Sequence, residues 1–203
     1  MLETAKNIVQ QYAVEEKIKF LKKVRDGELG REAAAKIIED RRVSWIKNNI
    51  ARLKEVYKDL SLPLAAHRII YFEHMYIFPP DSVVFEMSPD FIIVRSYNFC
   101  PYLQACQTLG LDTRDICRHI CQKPVEEMIK YIHPNLKFWR NYNKIRPHEE
   151  YCEEYISLEN EIACPPIAAL KALAGGLRPP PLARGGVLAM TIKNHEERKN
   201  SHY

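Results

Sequence analysis

The chain has 203 residues, of which 46% are hydrophobic and 28% are charged. That length suits one domain with an appendage, and the composition excludes collagen, low complexity and global disorder. The net charge of +4 is uneven, because residues 1–60 carry +4, residues 61–159 carry −3 and residues 160–203 carry +3. A dedicated nucleic-acid-binding protein has a stronger basic stripe, so nucleic acid is not an expected partner.

The sequence contains no run near the ~20 apolar residues that a membrane helix requires. Its longest uncharged run, 96–111, includes Ser, Asn, Gln, Thr and Pro. The first residues are charged and lack the apolar segment of a secretory signal. We therefore expect a soluble, cytoplasmic protein with no membrane partner, and its state as monomer or oligomer stays open.

The first part of the chain is predicted to be helical. Residues 2–26 form the first predicted helix, and two glycines shortly after it indicate a turn. In residues 31–60 apolar side chains recur at three- and four-residue steps, which predicts one long amphipathic helix. A third helix over 63–75 begins with a proline in its first turn and ends before a proline pair.

The pattern changes to strands after residue 80. Residues 82–87 and 91–99 are rich in Val, Ile and Phe and predict a β-hairpin, while 136–145 and 151–158 alternate and predict two further strands. Short helices are predicted between the strands, at 101–109, 112–121 and 124–133. The expected fold class is α+β, with N-terminal helices followed by a small, mostly antiparallel sheet on which short helices pack.

Three regions follow from these patterns. Residues 1–61 are an N-terminal helical region, and residues 62–159 are a cysteine-containing α+β domain. Residues 160–203 are a Pro/Gly-rich tail in which no periodic apolar pattern is visible. Such a segment cannot build a core of its own, so we expect it to be loosely packed.

Six cysteines lie between residues 100 and 164. Thiols stay reduced in the cytoplasm, so metal binding or catalysis is the expected use rather than a disulfide framework. Cys100 precedes Pro101 at the predicted start of a helix, where the helix dipole lowers a thiol pKa. Cys100 is therefore the best candidate nucleophile. Cys117 and Cys121 are one helical turn apart.

We predict that Cys100, Cys117 and Cys152 converge, because short connections link their helices and Cys152 lies on a strand of the same sheet. If they converge, Cys121 completes a four-thiolate site that would suit zinc or an iron–sulfur cluster as cofactor. Without convergence, the thiols would be small buried hydrophobes, as free cysteines often are.

Several short motifs lie around these cysteines: Tyr97-Asn98-Phe99-Cys100-Pro101, Ala105-Cys106, Gly110-Leu111-Asp112-Thr113-Arg114 with Cys117, Asn141-Tyr142-Asn143-Lys144-Ile145-Arg146-Pro147, and Tyr151-Cys152-Glu153-Glu154. In these motifs the chain resembles the L-2-amino-thiazoline-4-carboxylate hydrolase-like family and its uncharacterised archaeal and bacterial relatives. The resemblance covers residues 62–159, about half of the chain. It implies a small α+β domain that hydrolyses a C–N bond of a small heterocyclic or amide-like molecule.

Hydrolysis of an amidine-like ring requires a nucleophile, a proton shuttle and a clamp for a substrate carboxylate. The candidate catalytic residues are Cys100, Asp112, Cys117, Cys152 and Glu153. Of these, Asp112 or Glu153 would transfer protons if desolvation raised the pKa of its carboxyl group. Arg114, Arg140 and Arg146 are the candidate substrate-binding residues, because a guanidinium holds a carboxylate bidentately. Each has an ordinary alternative, since Asp112 would also cap a helix and the arginines would also form surface ion pairs.

Two other functions remain open, and with them the question whether the chain is an enzyme. One is a non-catalytic or metal-dependent thiolate site. The other is a DNA-binding module in which residues 27–47 form a helix-turn-helix with its turn at Glu39-Asp40. That turn should carry a small residue such as Gly, so one continuous amphipathic helix is the favoured interpretation of this segment.

Overall fold

The structure is a computed structural model that describes residues 2–159. These residues fall within one compact unit, Met1–Cys164. The prediction of a loosely packed tail concerns residues 160–203, which lie outside the described residues. No helix in the described part of the chain is long and apolar enough to cross a membrane.

Two long helices begin the chain, as predicted. Helix α1 spans Leu2–Arg25 and α2 spans Arg31–Val56, and the turn between them places Gly27 at φ 79°, a conformation that glycine adopts without strain. Helix α2 continues without a break through Glu39-Asp40, so the helix-turn-helix interpretation of residues 27–47 is wrong. The apolar stripe of α2 holds its buried residues Ala34, Ala35, Ile46 and Leu53.

Shorter elements follow in chain order. They are α3 (Leu62–His67), a π-helical segment (Arg68–His74), β1 (Ser82–Met87), β2 (Phe91–Ser96), α4 (Pro101–Leu109), α5 (Thr113–Ile116), a second π-helical turn (Cys117–Cys121), α6 (Gln122–Lys130), β3 (Leu136–Arg140) and β4 (Cys152–Leu158). The four strands form one antiparallel sheet in the order β1-β2-β4-β3. The α+β prediction, with helices before a small antiparallel sheet, is confirmed.

The π-helical turn Cys117–Cys121 has a cause in the sequence. Pro124 was expected to open a separate helix, but helical structure is continuous from residue 113 to residue 130. Because proline has no N–H and its ring crowds the carbonyl of residue i−4, it cannot extend a regular α-helix through Ile120. The preceding turn widens instead, and the Gln122 N–H bonds the carbonyl of Cys117, five residues back. Such π-bulges are frequent at functional sites.

The predicted strand 136–145 is shorter in the structure. It ends at Arg140, because Asn141 begins a turn in which the Lys144 N–H donates to the Asn141 carbonyl at 2.9 Å. Strand β4 pairs with both β2 and β3, so it lies inside the sheet. Its alternate residues therefore point to two different and largely covered environments.

The core has two clusters. The larger packs the inner face of the sheet against the helices and includes Tyr71, Ile92, Val94, Phe138 and Ile156. The smaller joins α1, α2, α4 and the segment 116–120, through Leu21, Ala34, Ala105, Cys106, Ile116 and Ile120. Cys121 packs against the smaller cluster and Tyr71 belongs to the larger one, so the site described next lies where the two clusters meet.

Candidate active site

A buried carboxylate organises the inner face of the sheet. Glu154 on β4 is only 6% exposed and accepts hydrogen bonds from the Tyr71 hydroxyl, from the Ser96 hydroxyl at 2.9 Å and from Arg140 Nε at 2.6 Å. Burial alone would raise the pKa of Glu154, but Arg140 and the two hydroxyl donors outweigh it and hold the pKa below its usual value. Glu154 is therefore ionised and fixes the direction of Arg140.

Two guanidinium groups beside this carboxylate have N–H groups without a hydrogen-bond acceptor. Arg140 and Arg42 each have a buried Nη1 atom that finds no hydrogen-bond acceptor within residues 6–159. Arg42 forms no ion pair with any acid in that range, and burial lowers its pKa. An unpaired buried donor is costly in free energy. The arrangement therefore leaves a surplus of positive charge and open donor positions that an anion could occupy.

Two thiols of the π-helical turn adjoin these cations. Cys117 and Cys121 lie at the two ends of this turn, and the interaction between their thiols raises the pKa of Cys117 and lowers that of Cys121. Burial opposes the shift at Cys121, whereas Arg140 and Arg42 add to it, and the resulting pKa is lower than that of an ordinary thiol. Both residues are partly exposed, and Cys121 is the member of the pair with the lowered pKa.

Helices α1 and α4 supply the remaining groups around Cys121. Tyr102 lies near it, and burial together with Cys121 raises the pKa of the Tyr102 hydroxyl, which therefore keeps its proton. Lys17 Nζ stands over the Tyr102 ring, 5.1 Å from the centroid. Burial lowers the pKa of Lys17, and the positive charge of Arg41 lowers it further. The side chains of Cys121, Cys117, Arg42, Arg140 and Tyr102 form one cluster, which we call the thiol recess.

The prediction that the helix start lowers the pKa of Cys100 was wrong. Cys100 does precede α4, as its N-cap, but its pKa is raised rather than lowered. Burial is the main cause, and the neighbouring Cys117 and Cys152 thiols add to it. Burial likewise raises the pKa of Cys152. The convergence of Cys100, Cys117 and Cys152 stays a prediction. The pKa is raised at Cys100, Cys106, Cys117 and Cys152 and lowered at Cys121.

The structure lends no support to a metal centre in this region. Among the residues it describes, no group of three or more His, Cys, Asp or Glu side chains could hold a metal ion. This applies to the four-thiolate set Cys100, Cys117, Cys121 and Cys152, for which zinc or an iron–sulfur cluster was the conditional prediction.

Asp112 and Arg114 form a hydrogen-bonded ion pair with each other and are not part of the thiol recess. Asp112 caps α5 by accepting the Arg114 N–H at 2.8 Å, and its carboxylate pairs with the Arg114 guanidinium at 3.0 Å. These hydrogen bonds lower the pKa of Asp112, whereas a proton shuttle was expected to have a raised one. Both residues line an open polar pocket of about 360 Å³ together with Asp115, Arg118, Tyr142 and Asn143.

Glu153 and Arg146 also have other partners, although the buried Arg146 Nε finds no hydrogen-bond acceptor within residues 6–159. Glu153 lies on the outer face of the sheet, 2% exposed, and the burial that would raise its pKa is outweighed by hydrogen bonds from Tyr155, Asn141 and Lys144. Arg146 Nη1 donates to the Asn98 carbonyl at 2.6 Å, and Arg146 also hydrogen-bonds Cys152. Of the three predicted substrate-binding arginines, only Arg140 lies in the thiol recess.

Sequence reasoning missed Glu154 and Arg42, although both had a signal. Glu154 has the same strand parity as Cys152 and Ile156, so it shares their face, whereas Glu153 points the other way. Arg42 lies four residues from both Ile38 and Ile46, on the apolar stripe of α2. A charged residue on a buried stripe is an anomaly that points to a site.

Comparisons of the chain with protein-family models, with curated proteins and with solved structures gave no significant match. The function must therefore be inferred from the geometry of the thiol recess and from the motifs in the sequence.

Proposed function

We propose that the thiol recess binds a small anionic molecule and hydrolyses one of its C–N bonds through a cysteine thiolate. The observation that carries this proposal is the pair of unpartnered guanidinium atoms, Arg42 Nη1 and Arg140 Nη1, whose charges help to lower the pKa of the neighbouring Cys121 thiol. The motif resemblance to the L-2-amino-thiazoline-4-carboxylate hydrolase-like family supports the same reaction class. The substrate class is a heterocyclic or amide-like compound that bears a carboxylate.

Binding would use the donors that the fold leaves open. A carboxylate placed between Arg42 and Arg140 would accept from both buried Nη1 atoms and relieve two unpaired donors at once. Glu154 keeps Arg140 in place through the 2.6 Å bond from Nε, so Arg140 can offer its other nitrogen without losing its orientation. This is a clamp that is organised before the ligand arrives.

The chemical steps follow from the ionisation of the neighbouring groups. The Cys121 sulfur attacks the carbon of the C=N or C(=O)–N group, and the displaced electron pair moves onto the nitrogen or oxygen of that group. Tyr102 retains its proton and is suited to donate a hydrogen bond to the atom that gains negative charge. The leaving nitrogen takes a proton from water as the C–N bond breaks, which leaves a thioester on Cys121 from an amide or a thioimidate from an amidine. A second water molecule hydrolyses this intermediate and restores the thiol.

Cys121 replaces Cys100 as the proposed nucleophile. A buried thiol with a raised pKa, such as Cys100, is mostly protonated and a poor nucleophile. Cys117 instead serves as a positioning residue, because the interaction with its thiol lowers the pKa of Cys121. A metal-dependent thiolate function has less support, given that no suitable ligand group occurs among the described residues.

The proposal can be tested with the purified full chain and L-2-amino-thiazoline-4-carboxylate, following the gain of one water by mass spectrometry. Replacing Cys121 with Ser should reduce kcat/KM by on the order of 10³-fold while the folded state is retained. Cys106→Ser is the matched control, because Cys106 is fully buried in the smaller core cluster and its pKa is raised to about 12 by burial. Its turnover should stay close to that of the parent chain.

A further variant separates binding from chemistry. Arg42→Gln should raise KM by roughly 10–100-fold with a smaller effect on kcat, since it removes one arm of the anion clamp. If Cys121→Ser retained full turnover of a substrate that the parent chain hydrolyses, the thiolate mechanism would be wrong. If the parent chain hydrolysed neither the thiazoline nor a panel of carboxylated cyclic amides and amidines, the hydrolase proposal itself would fail.

A further inference from the structure

An open polar pocket of about 360 Å³ lies between α5, the second π-helical turn and the loop after β3. Ligand pockets of proteins measure roughly 300–1,000 Å³, so this one has room for a small molecule rather than for a polymer. The side chains that line it are not those of the thiol recess: they are Asp112, Arg114, Asp115, Arg118, Tyr142 and Asn143.

The cations of this pocket keep N–H groups that no acid occupies. Asp112 accepts from Nε and Nη2 of Arg114, at 3.2 and 3.0 Å, which leaves Arg114 Nη1 without an acceptor in the described part of the chain. Asp115 pairs instead with Arg31, whose two Nη atoms donate to it at 3.0 and 2.7 Å. Arg118 forms no ion pair with any acid of residues 6–159. Within those residues the fold therefore supplies no counter-charge for Arg118.

Tyr142 holds the Arg118 guanidinium in a defined orientation. The guanidinium carbon lies 4.5 Å from the centroid of the Tyr142 ring, and the Tyr142 hydroxyl donates to the side chain of Gln122. A guanidinium that stacks through its face keeps its N–H groups, which lie in its plane, free to bind a carboxylate by two hydrogen bonds. Arg114 precedes Arg118 by four residues and lines the same pocket, so a carboxylate there can accept from both.

The charge of the pocket matches a ligand with a single negative charge. Together with Arg31, the lining contributes three guanidinium groups and two carboxylates, a formal surplus of one positive charge when the nearby His119 and His148 are counted as neutral. The Asp112 and Asp115 side chains are 46% and 36% exposed, and a carboxylate acts only as an acceptor. They are therefore open to a hydroxyl group of the ligand, whereas an ammonium group would add to the surplus positive charge.

We propose that the pocket binds a small hydroxy acid, a molecule with one carboxylate and a hydroxyl group on the neighbouring carbon. The carboxylate lies between the Arg118 guanidinium and Arg114 Nη1, and the hydroxyl donates to Asp112 or Asp115. The ligand thereby supplies the counter-charge that Arg118 lacks in the described part of the chain. This binding goes beyond the proposed hydrolysis and does not depend on it, because no side chain of the thiol recess takes part.

The experiment is a titration of the full, isotope-labelled chain, followed by NMR at the backbone amides of Arg118 and Asn143. The probes are both enantiomers of lactate and of alanine, propionate and inorganic phosphate. Propionate lacks the hydroxyl group of lactate, and alanine has an ammonium group in its place. One enantiomer of lactate should bind saturably, and propionate should bind at least about 10-fold more weakly, which corresponds to one hydrogen bond to a charged acceptor.

The outcomes of this titration decide between ligand classes. The proposal is wrong if lactate does not bind saturably or if propionate binds as tightly as lactate. It is also wrong if alanine binds more tightly, which would indicate an amino-acid site, or if phosphate does, which would indicate a site for a dianion.

Removal of the unpaired cation tests the anchor of the ligand. Arg118→Gln should weaken lactate binding by about 10–100-fold, because it removes the charge-assisted hydrogen bonds of one guanidinium. Arg52→Gln is the matched control, since Arg52 is an exposed arginine whose partner, Glu73 at 3.6 Å, does not line the pocket. Its affinity for lactate should equal that of the parent chain. Unchanged binding in Arg118→Gln would overturn the proposal.

Two substitutions at Tyr142 separate the role of its ring from that of its hydroxyl. Tyr142→Leu removes the ring on which Arg118 stacks and should weaken lactate binding several-fold. Tyr142→Phe keeps the ring and should bind lactate like the parent chain, so equal binding by the two variants would contradict the orienting role of the ring. Arg42→Gln should leave the shifts at Asn143 unchanged, and their loss would place lactate in the thiol recess instead. Because no hydrolysis is measured, these results are independent of the fate of the hydrolase proposal.

Discussion

Glu153 and Glu154 are consecutive residues of β4 that face opposite sides of the sheet, and each is almost completely buried. Each is paired with an arginine, Arg95 at 3.2 Å on the outer face and Arg140 at 2.6 Å on the inner face. In composition the two clusters are alike. They differ in whether the buried N–H groups of the cations have hydrogen-bond acceptors.

On the outer face both the carboxylate and the guanidinium have several partners. Glu153 accepts hydrogen bonds from Arg95, Asn141, Lys144 and Tyr155, and the Arg95 guanidinium stacks on the rings of Phe85 and Tyr151 at 3.4 and 4.5 Å. On the inner face one carboxylate stands against two guanidinium groups, each with a buried donor unused within residues 6–159. A saturated acid–arginine cluster stabilises a fold, whereas an unsaturated one beside a thiolate is able to bind a ligand.

Replacing the two glutamates should have the largest effect, and this effect is on the free energy of unfolding. Glu154→Gln removes the acid that hydrogen-bonds Arg140 and leaves an uncompensated buried charge, so the free energy of unfolding should fall by about 3–5 kcal/mol. Glu153→Gln should cost less, about 1–2 kcal/mol, because the Arg95 and Lys144 side chains are 20% and 43% exposed and can turn to water. Urea unfolding of both variants measures the difference. A larger loss for Glu153→Gln would contradict the comparison.

The pH dependence of stability sharpens the same point. The folded-state pKa of Glu154 lies below the ordinary value of 4.5, so its contribution is fully present above about pH 5 and is lost as pH falls through the lower folded-state pKa. The difference in unfolding free energy between the parent chain and Glu154→Gln should be constant from neutral pH to about pH 5 and should narrow below 4.5. Urea unfolding at a series of pH values checks this, and a difference that widened in acid would refute it.

Much of this fold was predictable, because hydrophobic periodicity and proline placement act locally. The hairpin 82–99, the two later strands and the unbroken helix α2 all follow from patterns within a few residues. The strand after Leu136 was predicted too long, since alternation continues through Tyr142 while the chain turns at Asn141.

The site was harder to predict, because it depends on which unlike elements come together. The pKa of Cys100 was inferred from its helix start alone, and burial by other parts of the fold reversed the direction. Arg42 lies 98 positions before Arg140 in the sequence, and no local pattern relates them. Glu154 was the avoidable miss, because the parity that put Cys152 on the inner face also assigns Glu154 to it.

Replacing one arginine of each cluster should have the smallest effect on the free energy of unfolding, with opposite signs for the two clusters. Arg42 lies between Ile38 and Ile46 on the apolar stripe of α2, with a buried donor that has no acceptor in the described part of the chain. Arg42→Met keeps a side chain of similar length and removes the cost of a desolvated charge, so the free energy of unfolding should rise by on the order of 1 kcal/mol. Arg95→Met should lower it by about 1 kcal/mol or more, because Glu153 loses a partner and two aromatic rings lose their stacked guanidinium.

The functional readout of the same pair is alkylation of Cys121 by iodoacetamide. At a fixed pH near neutrality it should slow several-fold in Arg42→Met, because the thiolate loses one of the two cations that lower its pKa. It should be unchanged in Arg95→Met, whose guanidinium lies on the other side of the sheet. A residue whose removal stabilises the chain while it weakens the site is one retained for function rather than for folding. If Arg42→Met destabilised the chain and left the alkylation rate unchanged, Arg42 would be a packing residue and the inner cluster would be no more than a counterpart of the outer one.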